Sequence, residues 1–197
     1  MAVAIAMSVG LRLGSAQATP LGSWCVGLER LFGASWSTRS FEREYEGWSD
    51  SRRTTFSLLG SGAPKGGFSS PRLGVDYVSE SGLSGGAAVG VDAMARDSSY
   101  AGSDDDPNAV AFLLAPRLGY FVQPLPWLGV WPRLGVTYLG RTRGDDQLAL
   151  SLDMPISFLV ADERVGLMLV PYLDAVFPED RKKAAEHGVL ASVGMFF

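Results

Sequence analysis

Leu148-Ala149-Leu150-Ser151-Leu152-Asp153-Met154-Pro155-Ile156-Ser157-Phe158-Leu159-Val160 alternates apolar and small or polar residues along its length. A period of two is the mark of a strand with unlike faces. Leu148, Leu150, Leu152, Met154, Ile156, Phe158 and Val160 share one face, and Ala149, Ser151, Asp153, Pro155 and Ser157 the other. An aspartate in mid-strand, among small residues, needs water or a cation beside it.

The cations come from a repeat. Pro-Arg-Leu-Gly occurs at Pro71–Gly74, Pro116–Gly119 and Pro132–Gly135, each within a run of the same period. In each copy leucine falls on one face and arginine on the other. The small, charged face of the neighbouring strands carries Glu29, Asp76, Asp92, Asp153 and Asp174. A mid-depth ionic layer of Glu29, Arg72, Arg117, Arg133 and Asp153 is expected, with Asp76 nearer one end and Asp92 and Asp174 nearer the other. A hairpin centred on Leu125 would set Arg117 opposite Arg133, an unfavourable pair that carboxylates must neutralise.

The pattern extends to eight strands, at about 22–33, 70–79, 83–95, 110–122, 128–140, 148–160, 165–175 and 188–197. Pro116 and Pro132 lack a ladder donor, so bulges are expected there. The connections 80–82, 123–127 and 161–164 are short. The connections 34–69, 96–109, 141–146 and 176–187 are longer and polar. Residues 34–69 read as a long loop with a protruding hairpin; should Thr54–Leu59 also span, the count becomes ten. Alternating short and long connections suit an antiparallel up-and-down transmembrane barrel.

Which face is outside follows from residue size. The polar face is mostly glycine, alanine and serine, too small for a normal solvated surface. All three lysines, Lys65, Lys182 and Lys183, fall in the proposed loops. Small side chains and isolated charges suit a narrow, filled interior, which puts the apolar face toward lipid. The reverse arrangement is a soluble lipocalin-like barrel that binds a small apolar ligand.

The chain has 197 residues and a formal charge of −4, with one cysteine and one histidine. It is long enough for one domain, carries no bulk basic surface for nucleic acid, and cannot form an internal disulfide. Residues 1–18 read as a signal peptide, with an apolar run from Ala2 to Val9 and a small-x-small site at Ala16-Gln17-Ala18. Residues 19–197 are then the barrel domain. Cys25 follows Trp24, not the small residue a lipoprotein site requires.

No nucleophile elbow, phosphate loop or Cys/His cluster is present, so no catalytic, cofactor or metal site is assigned. His187 beside Glu186 is the one candidate base. Asp104-Asp105-Asp106 reads as a solvated acidic turn, and Arg181-Lys182-Lys183 as a loop charge run able to meet anionic lipid phosphates. Trp24, Tyr77, Tyr120, Trp127 and Tyr138 lie near strand ends, where aromatic girdles sit.

The C-terminal run Val189-x-Ala191-x-Val193-x-Met195-x-Phe197 resembles the signal read by the barrel-assembly machinery. With the strand pattern of residues 22–197, the chain resembles small bacterial outer-membrane barrels of the OmpA/OmpX type. The resemblance implies a location in the outer membrane of a Gram-negative bacterium and contact with lipids and lipopolysaccharide. A monomer is expected. The expected role is non-enzymatic: membrane anchoring with loops for binding or protection, and an interior plugged by side chains. A narrow porin-like channel and a lipid-modifying enzyme centred on His187 are the alternatives that family leaves open.

Overall fold

Among the described residues, twelve strands form one antiparallel sheet that closes on itself. The computed structural model describes residues 20–43, 47–58, 68–95, 108–142, 146–177 and 182–197. The signal-peptide reading, the Asp104–Asp106 run, Lys65 and Arg181 lie outside them. The strands are β1 (Ser23–Arg43), β2 (Gly47–Leu58), β3 (Arg72–Val78), β4 (Leu83–Ala95), β5 (Asn108–Tyr120), β6 (Val122–Leu125), β7 (Leu128–Val130), β8 (Arg133–Arg141), β9 (Gln147–Asp153), β10 (Ile156–Val160), β11 (Val165–Val176) and β12 (Lys182–Phe196). The ring runs β12-β1-β3-β4-β5-β8-β9-β11 and returns to β12, so the barrel has eight staves. The remaining strands extend staves. β2 pairs with β1 beyond β3, and β6, β7 and β10 continue β5, β8 and β9.

The first connection holds the protruding hairpin expected of residues 34–69, but the hairpin grows directly out of the first strand instead of from a loop. β1 continues to Arg43, and residues 33–41 pair with β12 on one side while 32–43 pair with β2 on the other. Much of the expected long loop is thus a hairpin that carries the wall onward, and Thr54–Leu58 adds no stave. β12 likewise begins at Lys182 rather than near 188, because Lys182–Ala184 pair with Arg39–Phe41. These stretches are polar, so they lack the apolar alternation that marks the other strands.

The two proline bulges do not form. Residue numbers of paired positions on β5 and β8 sum to 252 both at Leu114↔Tyr138 and at Arg117↔Gly135, and Val122↔Val130 keeps that sum. The prolines interrupt the ladder without shifting it. The carbonyls of Pro132, Pro155 and Pro171 still accept: Tyr120 N–H donates to Pro132 (3.0 Å), Trp131 N–H to Pro155 (2.9 Å) and Met154 N–H to Pro171 (2.9 Å). Each proline therefore loses one ladder bond of its pair and keeps the other.

The outer surface is a continuous apolar band. Leu148, Leu150, Leu152, Met154, Phe158 and Val160 are all exposed, as are Leu73, Leu118 and Leu134 of the three repeats. At about 3.3 Å per residue and a tilt of about 45°, the run Leu148–Val160 stands roughly 28 Å high, the span of a bilayer's hydrocarbon. Trp24, Tyr77, Tyr120 and Trp127 are exposed at the short-turn end, with Trp24 and Tyr77 rings 5.2 Å apart. Toward the other end stand Phe112 with Tyr138 (5.5 Å) and Trp36 stacked on His187 (5.9 Å).

Candidate functional site: the closed lumen

The lumen is filled in three layers. At the short-turn end Phe121, Trp131 and Phe196 pack ring to ring, at 5.7 to 6.4 Å, among Cys25, Val78, Leu159, Met168 and Val170. The Trp131 indole N–H donates to Ser84 Oγ (2.7 Å), which satisfies the one polar atom of that side chain. Toward the long-connection end Phe68 packs among Ala88, Ala111, Leu113, Ala115, Leu139 and Ala149. Between them lies a layer of charge.

Four arginines and four carboxylates make that layer, all buried: Arg30, Arg72, Arg117 and Arg133 with Glu29, Asp76, Asp153 and Asp174. Glu29 is its hub. Its Oε2 accepts from Arg72 Nε (2.9 Å) and Arg117 Nη1 (2.7 Å), and its Oε1 from Arg133 Nη1 (2.9 Å). Asp153 accepts from Arg72 Nη2 (2.8 Å) and Arg30 Nη2 (3.2 Å). Arg117 grips Asp76 with two nitrogens, Nε at 2.8 Å and Nη2, a fork geometry that only guanidinium provides. Arg30 joins Asp174 (2.8 Å), lies 4.1 Å over the Tyr172 ring, and donates to the Phe68 carbonyl. Within the layer the formal charges cancel, four against four, and every member has an oppositely charged partner.

The Pro-Arg-Leu-Gly repeat explains how four guanidiniums fit. Arg117 is not opposite Arg133; it faces Gly135 on one side and Gly86 on the other, and Arg133 faces Gly119 and Asp153. The expected hairpin was centred one position early. A Cβ at Gly119 would lie 2.8 Å from Arg133 Cγ, one at Gly135 2.9 Å from Arg117 Cβ, and one at Gly74 2.6 Å from Arg117 Nη2. The glycine of each copy is thus the space into which an arginine of another copy folds. The leucine meets the outside, and the arginine the centre.

The structure brings together Glu29, Arg72, Arg117, Arg133 and Asp153. Asp76 and Asp174 also join them, through Arg117 and Arg30. Asp92 stands apart and accepts from Ser70 (3.1 Å). Arg30 escapes the sequence reading because it breaks the alternation. Between Leu28↔Val193 and Phe32↔Ala191 the register slips, so Glu29, Arg30 and Leu31 oppose Ser192 alone. Arg30 sits at φ 57°, and its N–H donates to Ser192 Oγ (3.1 Å). The visible signal is Glu29-Arg30-Leu31-Phe32, two charges then two apolar residues where strict alternation requires otherwise.

His187 and Glu186 do not form a catalytic pair. His187 faces outward against Trp36, while Glu186 points inward and accepts from the Tyr172 hydroxyl (2.9 Å). Neighbours on one strand face opposite ways, so Glu186 cannot polarise His187. No group of three or more metal-ligating side chains gathers among the described residues.

No protein-family model matches the chain, and no curated protein matches it. Solved structures do. The crystal structure of Neisserial surface protein A aligns with a TM-score of 0.51 at 13% identity, over 88% of this chain and 97% of that one. The outer membrane protein AlkL, determined by solid-state NMR in DMPC lipid bilayers, aligns with a TM-score of 0.53 at 12% identity, over 95% of each. At such identities the likeness is one of fold. The closed ring of eight staves and the outward apolar band agree with it: this chain has the fold of the small eight-stranded outer-membrane barrels.

Proposed function

We propose that this chain is an integral, non-enzymatic barrel of the bacterial outer membrane that anchors in the bilayer without conducting. It would present its long connections for binding or surface protection. The observation that carries the reading is the lumen: two apolar packings enclose an ionic layer bonded across staves. A space of about 10 Å³ beside Arg72, Arg133 and Asp153 is the size of one water molecule. Ions crossing here would have to part buried ion pairs at several kcal/mol each.

Three further parts belong to the reading. Val189 and Met195 of β12 and Phe197 just past its end are exposed, with Ala191 and Val193 between them, an alternation that supports reading the run as a signal for the assembly machinery. Lys182 and Lys183 pair with Phe41 and Ser40 at the far end of the extended hairpins, and there they would meet lipopolysaccharide phosphates. A monomer suffices, because the ring closes within one chain. Planar-bilayer recording tests the plug. The expected result is a silent protein; steady, large openings would contradict it.

A further inference from the structure

We propose that the outer wall holds a single lipid acyl chain in a fixed trough over the seam where β12 meets β1. This rests on the reading of the chain as a membrane barrel. The trough has a volume of about 310 Å³ and crosses four staves, from Phe158 on β10 past Leu167 and Leu169 on β11 and Ala191 on β12 to Phe32 on β1. Two local causes form it. Ala191 stands between Val189 and Val193 on the outward face, so the wall dips there. Beside it the Glu29–Leu31 bulge interrupts β1–β12 pairing and turns Leu31 toward the dip. Phe32 and Phe158 flank it as exposed rings.

The surroundings select the occupant. On β1 the trough lies between Trp24 and Trp36, inside the aromatic girdles and away from headgroups, so what reaches it is hydrocarbon. Its one polar lining residue, Ser192, is buried and bonded to the Arg30 N–H, and the rest of the lining is apolar, so the trough favours hydrocarbon. A second copy of the barrel is a poor fit. Two convex walls touch along a line, and neither can fill a dip between raised phenyl rings. A flexible chain can, and gains dispersion contacts that an ordinary boundary lipid lacks.

The test uses the full chain in phosphatidylcholine bilayers with a trace of chain-spin-labelled phosphatidylcholine. Wild type is compared with Ala191→Phe, which fills the trough, and with Leu150→Phe, which adds bulk elsewhere on the band. Unboiled gel mobility checks folding, and Ala191→Leu replaces the first variant should it misfold. The expected result is a slowly exchanging, motionally restricted component in wild type and Leu150→Phe that is lost in Ala191→Phe. Equal spectra from wild type and the trough-filled variant would overturn the proposal while leaving the barrel in its membrane. Absence of any restricted boundary shell would defeat the membrane reading itself, and this inference with it.

Discussion

At the scale of the residue, Glu29 and Arg30 do most to define the interior. Glu29 answers three arginines, so Glu29→Ala leaves three guanidiniums short of a partner at once. A loss of about 3–5 kcal/mol is expected in urea unfolding from lipid or detergent. Removing both ends of a pair is a different experiment. Arg30→Met with Asp174→Leu leaves less charge stranded and should cost much less than either change alone, which a double-mutant cycle reads directly. Outside the span, Asp146 closes a connection: its carboxylate accepts from the Tyr138 hydroxyl (2.5 Å) and the Arg141 N–H (3.1 Å). The Tyr138 bond chiefly holds its pKa below the ordinary 3.8. With a lowered folded value, the bond's contribution is present above pH 3.8 and fades as pH falls through the lowered midpoint. Tyr138→Phe should raise the Asp146 midpoint in a carboxyl NMR titration; an unmoved midpoint would remove Tyr138 as the cause.

At the scale of the element, the two faces of each strand differ in what they tolerate. Leu152 is outward and near mid-depth on β9, the strand that carries Asp153 in the ionic layer. Leu152→Arg is expected to cost about 2–4 kcal/mol in bilayer refolding titrations, because the guanidinium meets hydrocarbon. A cost near zero would mean that the apolar face is not in lipid.

Strand faces were legible in the sequence wherever alternation is uninterrupted, as from Leu148 to Val160. The arginine and carboxylate positions followed from the same parity. What escaped did so for identifiable reasons. The ends of β1 and β12 are polar because they project past the apolar band, so hydrophobic period cannot mark them. The bulge at Glu29–Leu31 moves a second charge inward, which parity counting assigns to the wrong face. The Arg117–Arg133 register was misjudged because turn geometry, not composition, fixes which residues pair. Phe68 sits in no strand, so nothing in a periodic reading points it into the lumen.

At the scale of the whole molecule, the packing is inverted relative to a soluble barrel. Charge lies at the centre and leucine at the surface, and the ion pairs are usable only because the wall excludes water from them. Glycines at 74, 119 and 135 make the centre possible by ceding volume to arginines from other staves. The ring also closes on itself through β11, β12 and β1, so among the described residues no stave edge below the hairpin extensions is left for a partner strand. Such a closed, lipid-clad body is expected to resist cold detergent and to open on heating. The most direct measurement is therefore fractionation of expressing cells followed by electrophoresis with and without boiling. The account predicts a protein in the outer-membrane fraction that migrates faster unboiled than boiled. A soluble periplasmic protein with one mobility would contradict it.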